Sequence, residues 1–163
     1  GDINIDMAYG ADGQAIYLNG ADVSERIRQN DVSMGASAIA AIPAVRLKLV
    51  DMQRRLAEKH SVIMDGRDIG TYVLPDAELK IYLTASVEER TKRRYEQLLQ
   101  KGMECDIKKI KEDIKQRDYN DMHREFAPLK KAEDAVVVDS SDMTLEETVD
   151  KIFKMIKEKQ DVL

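Results

Sequence analysis

Tryptophan is absent from the 163 residues, phenylalanine occurs twice and cysteine once. The lone Cys105 excludes an intrachain disulfide and fits a reducing compartment, so a cytosolic protein is expected. No signal-peptide pattern opens the chain. The longest weakly polar run, VSMGASAIAAIPAV (32–45), is too short and too rich in small residues to span a bilayer, which argues against a membrane role. Net positive charge is lacking too. At a formal charge of -5, a nonspecific hold on a nucleic-acid backbone is excluded as the main role. Any phosphate-binding arginines must then act as a local cluster against the global sign. The two histidines, His60 and His123, lack a second-ligand pattern, and no protein-held metal is expected. Finally, none of the eight glycines is followed by lysine, so the chain contains no G-x-x-x-x-G-K-[ST] phosphate cradle.

What is present is charge, at 35% of residues, beside 43% hydrophobic residues, a balance that suits a helix-rich globular protein. INIDM (3–7) alternates apolar and polar residues, and AIYLNG (15–20) follows the turn-rich YGADGQ (9–14), which predicts a hairpin. A small-residue helix is expected over 33–41. Pro43 is placed to start another, covering 45–60, because its missing N–H costs nothing in a first helical turn. From Ser61 the pattern becomes strand, helix, strand. SVIMD (61–65), LKIYLTA (79–85) and AVVVD (135–139) read as short parallel strands with helical crossovers. Ser86-x-x-Glu89 and Thr144-x-x-Glu147 each fit a capping box at a helix start. Gly102 suits a left-handed helix end. The expected organisation is a mixed lobe over 1–60 and an α/β sheet portion over 61–163. Ligands of such sheets sit beyond the carboxyl ends of the strands, which puts Asp65 to Asp68 and Asp139 to Ser141 on the functional rim.

MDGRDIGT (64–71) follows the β-branched pair Val62 and Ile63, so two acids and an arginine cluster at a strand's carboxyl end. Arg117, Asp121 and Arg124 recur at spacings of four and three, which places them on one face of the helix expected over 106–121 and running on into MHREFAPL (122–129). A solvated charge ladder is the plain alternative, worth a few tenths of a kcal/mol per pair, about the level of exposed ion pairs. The helix with Arg90, Lys92, Arg93 and Arg94 is also basic on part of its surface. Alternating arginine and aspartate around a pocket suits a nucleotide. Guanidinium forks match phosphate oxygens in pairs, and carboxylates accept from sugar hydroxyls or an exocyclic amino group. Each such charge-assisted bond contributes about 1.5–3 kcal/mol.

Three segments, IRQNDVSMGASAIAAIPAVR (27–46), DGRDIGTYVLPDAELKIYLTASVEERTKRR (65–94) and IKQRDYNDMHREFAPLKKAEDAVVVDSS (114–141), resemble the bacterial cytidylate kinase family. The likeness runs over nearly the whole chain, and DGRDxGT followed by RDxxDxxRxxAPL is its specific part. It implies a P-loop nucleoside-monophosphate-kinase-like parallel sheet with flanking helices, truncated at its amino end. A small mixed α/β lobe over 1–60 would bind the monophosphate, and a lid region would lie at about 90–120. The implied reaction moves the γ-phosphoryl of ATP, with Mg²⁺, to CMP or dCMP. By the same resemblance Ser37, Arg46 and Asp68 contact the cytosine ring and Arg67 the monophosphate. Arg117 and Asp121 hold the ribose hydroxyls, Arg124 is a further nucleotide-site arginine, and Arg93 is a lid arginine that reaches the ATP phosphates.

The missing cradle and the missing initiator methionine predict the carboxyl-terminal portion of such a kinase. It would be inactive alone, retain weak CMP binding, hold no Mg²⁺ tightly and be able to self-associate through an uncovered sheet face. A non-catalytic nucleotide-binding regulatory or scaffold module fits the same absence. The DNA directly upstream of Gly1 separates the two: an in-frame Gly-rich loop with Gly-Lys-Ser/Thr selects the kinase. An Asp-x-Asp-type phosphatase built on Asp65 and Asp68 fits less well. Its two acids should stand two apart on one strand face, and here they stand three apart with Arg67 between them.

Overall fold

The computed structural model describes residues 3–10, 13–29, 32, 35, 36, 39, 42–100 and 102–161. The chain divides into two compact units, Gly1–Met52 and Gln53–Leu163.

In the first unit, β1 (Ile5–Gly10) pairs antiparallel with β2 (Gly13–Leu18), and β2 pairs with the short β3 (Ala21–Asp22). The predicted hairpin is present, and its strands reach further into the turn-rich stretch than the sequence suggested: Tyr9 faces Gln14 and Gly10 faces Gly13. The register puts Ile5 opposite Leu18 and Met7 opposite Ile16, so the apolar residues share one face. Ser24 fastens the sheet's end, accepting from the Ile16 N–H at 2.8 Å while donating to Asp22 Oδ1 at 2.6 Å. Asp22 is held below the ordinary aspartate range by the Ser24 hydroxyl and N–H. The small-residue helix expected at 33–41 falls largely outside the described residues. Helix α1 (Pro43–Lys59) begins on the proline, as its fixed φ favours, and buries Val50.

In the second unit, β4 (Ile81–Thr84) and β5 (Val136–Asp139) form a parallel ladder in the register Ile81–Val136 to Thr84–Asp139. Helices α2 (Val87–Gln100) and α3 (Ile107–His123) make the crossover between them, and α4 (Leu145–Gln160) follows β5. This is an α/β architecture with a parallel ladder and helical crossover, as the strand and helix pattern from Ser61 onward predicted. The interior is carried by Val73, Ile110 and the fully buried Val138.

The capping signals are met to different degrees. At Thr144 both arms of the box form: Glu147 N–H donates to Thr144 Oγ1 at 3.1 Å and Thr144 N–H to the Glu147 carboxylate at 2.8 Å. At Ser86 only one arm forms, Glu89 N–H to Ser86 Oγ at 3.1 Å. The Ser86 N–H goes instead to Ser141 Oγ at 2.8 Å, while the Glu89 carboxylate pairs with Arg93. A tertiary acceptor outcompetes the local one. Gly102, with φ +70°, ends the α2 segment in the left-handed conformation, and Met103 N–H reaches back to the Leu98 carbonyl.

One expected strand does not form. Residues 61–65 have no regular structure and no ladder partner among the described residues, and Ile63 is 90% exposed. A strand needs a neighbour for its N–H and C=O groups, and apolar spacing alone supplies none.

Candidate functional site

The segment after this unpaired run turns sharply. Tyr72 and Val73 N–H groups both donate to the Asp68 carbonyl (2.8 and 3.1 Å), and Leu74 N–H donates to the Ile69 carbonyl (2.7 Å). The result is one π-helical turn, Ile69–Val73, headed by Asp68. Such turns often mark functional positions. Gly66 is needed there for space: a Cβ would stand 2.8 Å from Ile69 Cγ1.

The turn presents Asp68 inward, and the residue is only 3% exposed. Its Oδ1 lies 3.5 Å from Arg124 Nη2, a contact of opposite charges at the outer limit of a hydrogen bond. That Nη2 is buried and makes no hydrogen bond among the described residues. Arg124 is held from its other side, donating from Nε to the Ala127 carbonyl at 2.7 Å. Ala127 itself sits at φ +47°, the left-handed turn that folds the chain back before Pro128. Leu129 N–H then closes on the Asp121 carbonyl at 2.8 Å.

Arg67 and Asp121 form the second pair, 54 residues apart, with Arg67 Nε donating to Asp121 Oδ2 at 2.8 Å. Three segment pieces thus meet: Arg67 and Asp68 from the turn, Asp121 from the last turn of α3, and Arg124 from the loop beyond. Arg124 is not helical, although the helix was expected to run on through it. Helix α3 ends at His123, and Arg124 adopts φ −62°, ψ 142°. The ties from Arg124 to Ala127 and from Leu129 to Asp121 give that end an alternative to continued helix. Arg117, one turn before Asp121, is exposed and carries no ion pair among the described residues.

A third arginine–aspartate pair stitches α2 to α3. Arg90 donates from Nη1 and Nη2 to the two carboxylate oxygens of Asp118 (2.9 and 2.6 Å), and from Nε to the Ala85 carbonyl at 3.0 Å. The Asp118 hydrogen bonds raise the Arg90 pKa above the ordinary arginine value. Lys111 and Glu88 repeat the stitch at the surface at 2.7 Å, and that bond pulls Glu88 below the usual glutamate range. Arg93 faces the other way. It donates to the Ser140 carbonyl at 2.5 Å, to the Met143 carbonyl at 3.1 Å and to the Glu89 carboxylate at 2.9 Å. Beside it, Ser141 donates its hydroxyl and N–H to Asp139 Oδ1 (2.6 and 2.9 Å), holding Asp139 below the usual carboxylate range. Arg93 therefore touches the loop after β5, at the carboxyl rim expected to be functional.

Of the sequence-predicted residues, Arg67, Asp68, Asp121 and Arg124 come together. Arg117 stands on α3 with no ion pair among the described residues, and Arg93, on α2, reaches the loop after β5. Arg46 is half-buried on α1 within the first unit, and Ser37 lies outside the described residues. Asp65 is exposed while Asp68 is buried against Arg124, an unequal environment for the two acids of an Asp-x-Asp-type pair. Sequence reasoning missed Asp118, the partner of Arg90, and Arg54, which donates to the carbonyls of Val73 and Tyr72 (2.9 and 2.6 Å). No spacing rule reports a pair 28 residues apart, or a bond to main-chain carbonyls that any sequence carries.

Chemically the cluster offers three things: a buried carboxylate able to accept from a base amino group, cationic forks for phosphate, and a partly open carboxylate for hydroxyl groups. Among the described residues no three acids, histidines or cysteines gather to hold a metal ion, and no helix is long and apolar enough to cross a membrane.

A family model described as cytidylate kinase matches residues 2–158. The cytidylate kinase of Caldicellulosiruptor saccharolyticus is 55% identical over 154 residues, 94% of this chain and 67% of that protein. That of Caldicellulosiruptor bescii is 53% identical over the same length, with the same coverage. The Lactobacillus johnsonii cytidylate kinase is 51% identical over 147 residues, 90% of this chain and 64% of that protein. The chain thus spans about two thirds of the length of these relatives.

Proposed function

The chain belongs to the cytidylate kinase family, which phosphorylates CMP and dCMP from ATP, and we propose that its 163 residues supply the part that grips the monophosphate. The observation that carries this reading is the buried Asp68 facing the unsatisfied Nη2 of Arg124, with Arg67 and Asp121 paired beside it. A buried guanidinium N–H without a hydrogen bond is costly, by about 1–3 kcal/mol, unless a ligand completes it. A phosphate oxygen does so. Asp68, with Ser37 and Arg46, reads the amino edge of cytosine, and a carboxylate there would face an acceptor in uracil and repel it. Arg67 takes the monophosphate, Arg117 and Asp121 the ribose hydroxyls, and Arg124 the nucleotide's phosphate side. The lobe over residues 1–60 supplies monophosphate-binding groups, and residues of about 90–120 act as the lid.

In the reaction an oxygen of the CMP phosphate forms a bond to the γ-phosphorus of ATP, and the bond from that phosphorus to the β–γ bridging oxygen breaks, leaving ADP. The protein's part is positioning and neutralisation of charge. Arg67 and Arg124 hold the acceptor phosphate and offset its charge as the donor approaches. Arg93 serves the ATP phosphates by exchanging the carbonyls of Ser140 and Met143 for phosphate oxygens. Mg²⁺, carried in with ATP, would supply further charge neutralisation, and the chemistry assigned to the described residues is binding and orientation. The 163 residues also hold no Gly-Lys-Ser/Thr sequence to cradle ATP.

The 163-residue chain assayed alone is expected to bind CMP weakly and to form negligible CDP in a coupled kinase assay. Robust CDP formation by the pure chain would overturn the assignment of these residues to monophosphate binding without transfer.

A further inference from the structure

Arg54 lies outside every role discussed so far. It sits on α1, three turns after Pro43, and its guanidinium reaches across to the π-helical turn. Nε donates to the Val73 carbonyl at 2.9 Å and Nη2 to the Tyr72 carbonyl at 2.6 Å. The guanidinium carbon also stands 5.7 Å from the centre of the Tyr72 ring, within cation–π range. The same two residues, Tyr72 and Val73, donate their N–H groups back to the carbonyl of Asp68. Arg54 therefore pins the far end of the turn whose near end is the buried carboxylate.

The Tyr72 ring extends the connection. It meets the Phe126 ring edge-on, centroids 5.1 Å apart and planes at 74°. This is a favourable T-shaped contact between the turn and the loop after α3. Phe126 is flanked by Arg124, two residues before it, and by Ala127, whose carbonyl accepts from Arg124 Nε. One contiguous path thus runs from Arg54 through Tyr72 and Phe126 to Arg124, and a second through the turn's hydrogen bonds to Asp68. The two ends of these paths face each other at 3.5 Å.

We propose that Arg54 is a positioning residue for the nucleotide site: by clamping the Tyr72 and Val73 carbonyls it sets the turn that aims Asp68 and, through the Tyr72–Phe126 contact, the loop that aims Arg124. The proposal rests on the reading of Asp68 and Arg124 as nucleotide-binding groups. A lysine could deliver a charge to this place but not two N–H groups held in one plane, so the geometry specifies arginine.

Two measurements on the full 163-residue chain test it. The first needs no ligand. Amide exchange followed by NMR in Arg54→Met should accelerate about tenfold at Tyr72 and Val73 and also at Leu129, with the β4–β5 amides unchanged, as expected for loss of a charge-assisted bond. Acceleration at Tyr72 and Val73 alone, or equal acceleration throughout, overturns the proposal. Should Arg54→Met not fold, Arg54→Lys and Phe126→Leu take its place. Arg54→Lys should accelerate the same amides by a smaller factor, Phe126→Leu should accelerate Leu129 while sparing Val73, and the absence of both changes is contrary. The second measurement is CMP titration. Arg54→Met should weaken CMP about tenfold in the wild-type background and less than about twofold when Arg124→Ala is already present, the coupling expected of residues that act through one another. Equal losses in both backgrounds overturn the proposal. A wild-type chain that binds no CMP strikes the nucleotide reading instead, and leaves the clamp to be judged on the exchange data.

Discussion

Helix α3 carries two aspartates three residues apart that use arginine in opposite ways. Asp118 takes both terminal nitrogens of Arg90, and the remaining Nε of that arginine is spent on the Ala85 carbonyl. The fork is closed. Asp121 receives a single N–H from Arg67, whose side chain is 41% exposed and whose other donors make no hydrogen bond among the described residues. That fork is open. Both contacts are short, so distance does not tell them apart, and neither does charge. The difference is the state of the donor set: a guanidinium with all three nitrogens engaged fastens two helices, and one with a single nitrogen engaged beside a buried carboxylate keeps donors for the nucleotide role proposed above. The contrast extends to Arg124, whose buried Nη2 lies near Asp68 without a hydrogen bond.

The comparison can be broken by treating the two aspartates alike. Asp118→Ala should lower unfolding stability by about 1–2 kcal/mol, since a half-buried bidentate pair is lost and Arg90 keeps only its bond to the Ala85 carbonyl. Its CMP affinity should stay within about threefold of wild type, a shift under 1 kcal/mol. Asp121→Ala should do the reverse, costing under about 0.5 kcal/mol of stability and weakening CMP about tenfold. Urea unfolding and calorimetry on both variants check this. Equal stability losses would dissolve the distinction between fastener and grip.

A finer test is Arg117, exposed and uncommitted one turn before Asp121. Arg117→Ala should leave the urea midpoint unchanged and weaken CMP about threefold, as an exposed charge contact does. A shifted midpoint with unchanged affinity would move Arg117 from the site to the scaffold.

The smallest effect concerns the carboxyl rim. Asp139 titrates below the ordinary aspartate value because Ser141 donates two hydrogen bonds to it. Its stabilising contribution is therefore complete above the unfolded value of about 3.9 and is lost as pH falls through the lower folded value. The stability gap between wild type and Asp139→Asn should accordingly narrow between pH 5 and pH 3, roughly the window in which aspartates protonate. A gap that widens on acidification would contradict the bonding described.

What was legible in the sequence was mostly local. The Thr144 box forms in full because its partners lie within one turn. The Ser86 box forms by half because Ser141, 55 residues away, offers a better placed acceptor. The hairpin register follows from the alternation of Ile5 and Met7 against Ile16 and Leu18. Residues 61–65 show the limit, since only a neighbour makes an apolar run a strand. Likewise the spacing of Arg117, Asp121 and Arg124 located the segment that meets Arg67 and Asp68, while the end of α3 at His123 was decided by the tie from Leu129 back to Asp121. Arg54 and Asp118 left no local mark at all, one because its acceptors are main-chain carbonyls, the other because its partner is 28 residues away.

Titration calorimetry of the chain with CMP, with UMP in parallel, bears most directly on whether arginine and aspartate from separate segments grip a cytosine nucleotide. Saturable heat with CMP, weaker with UMP and reduced about tenfold or more by Asp68→Asn, is the expected result, in keeping with loss of a charge-assisted hydrogen bond. No heat at millimolar CMP, or heat indifferent to Asp68→Asn, would contradict it.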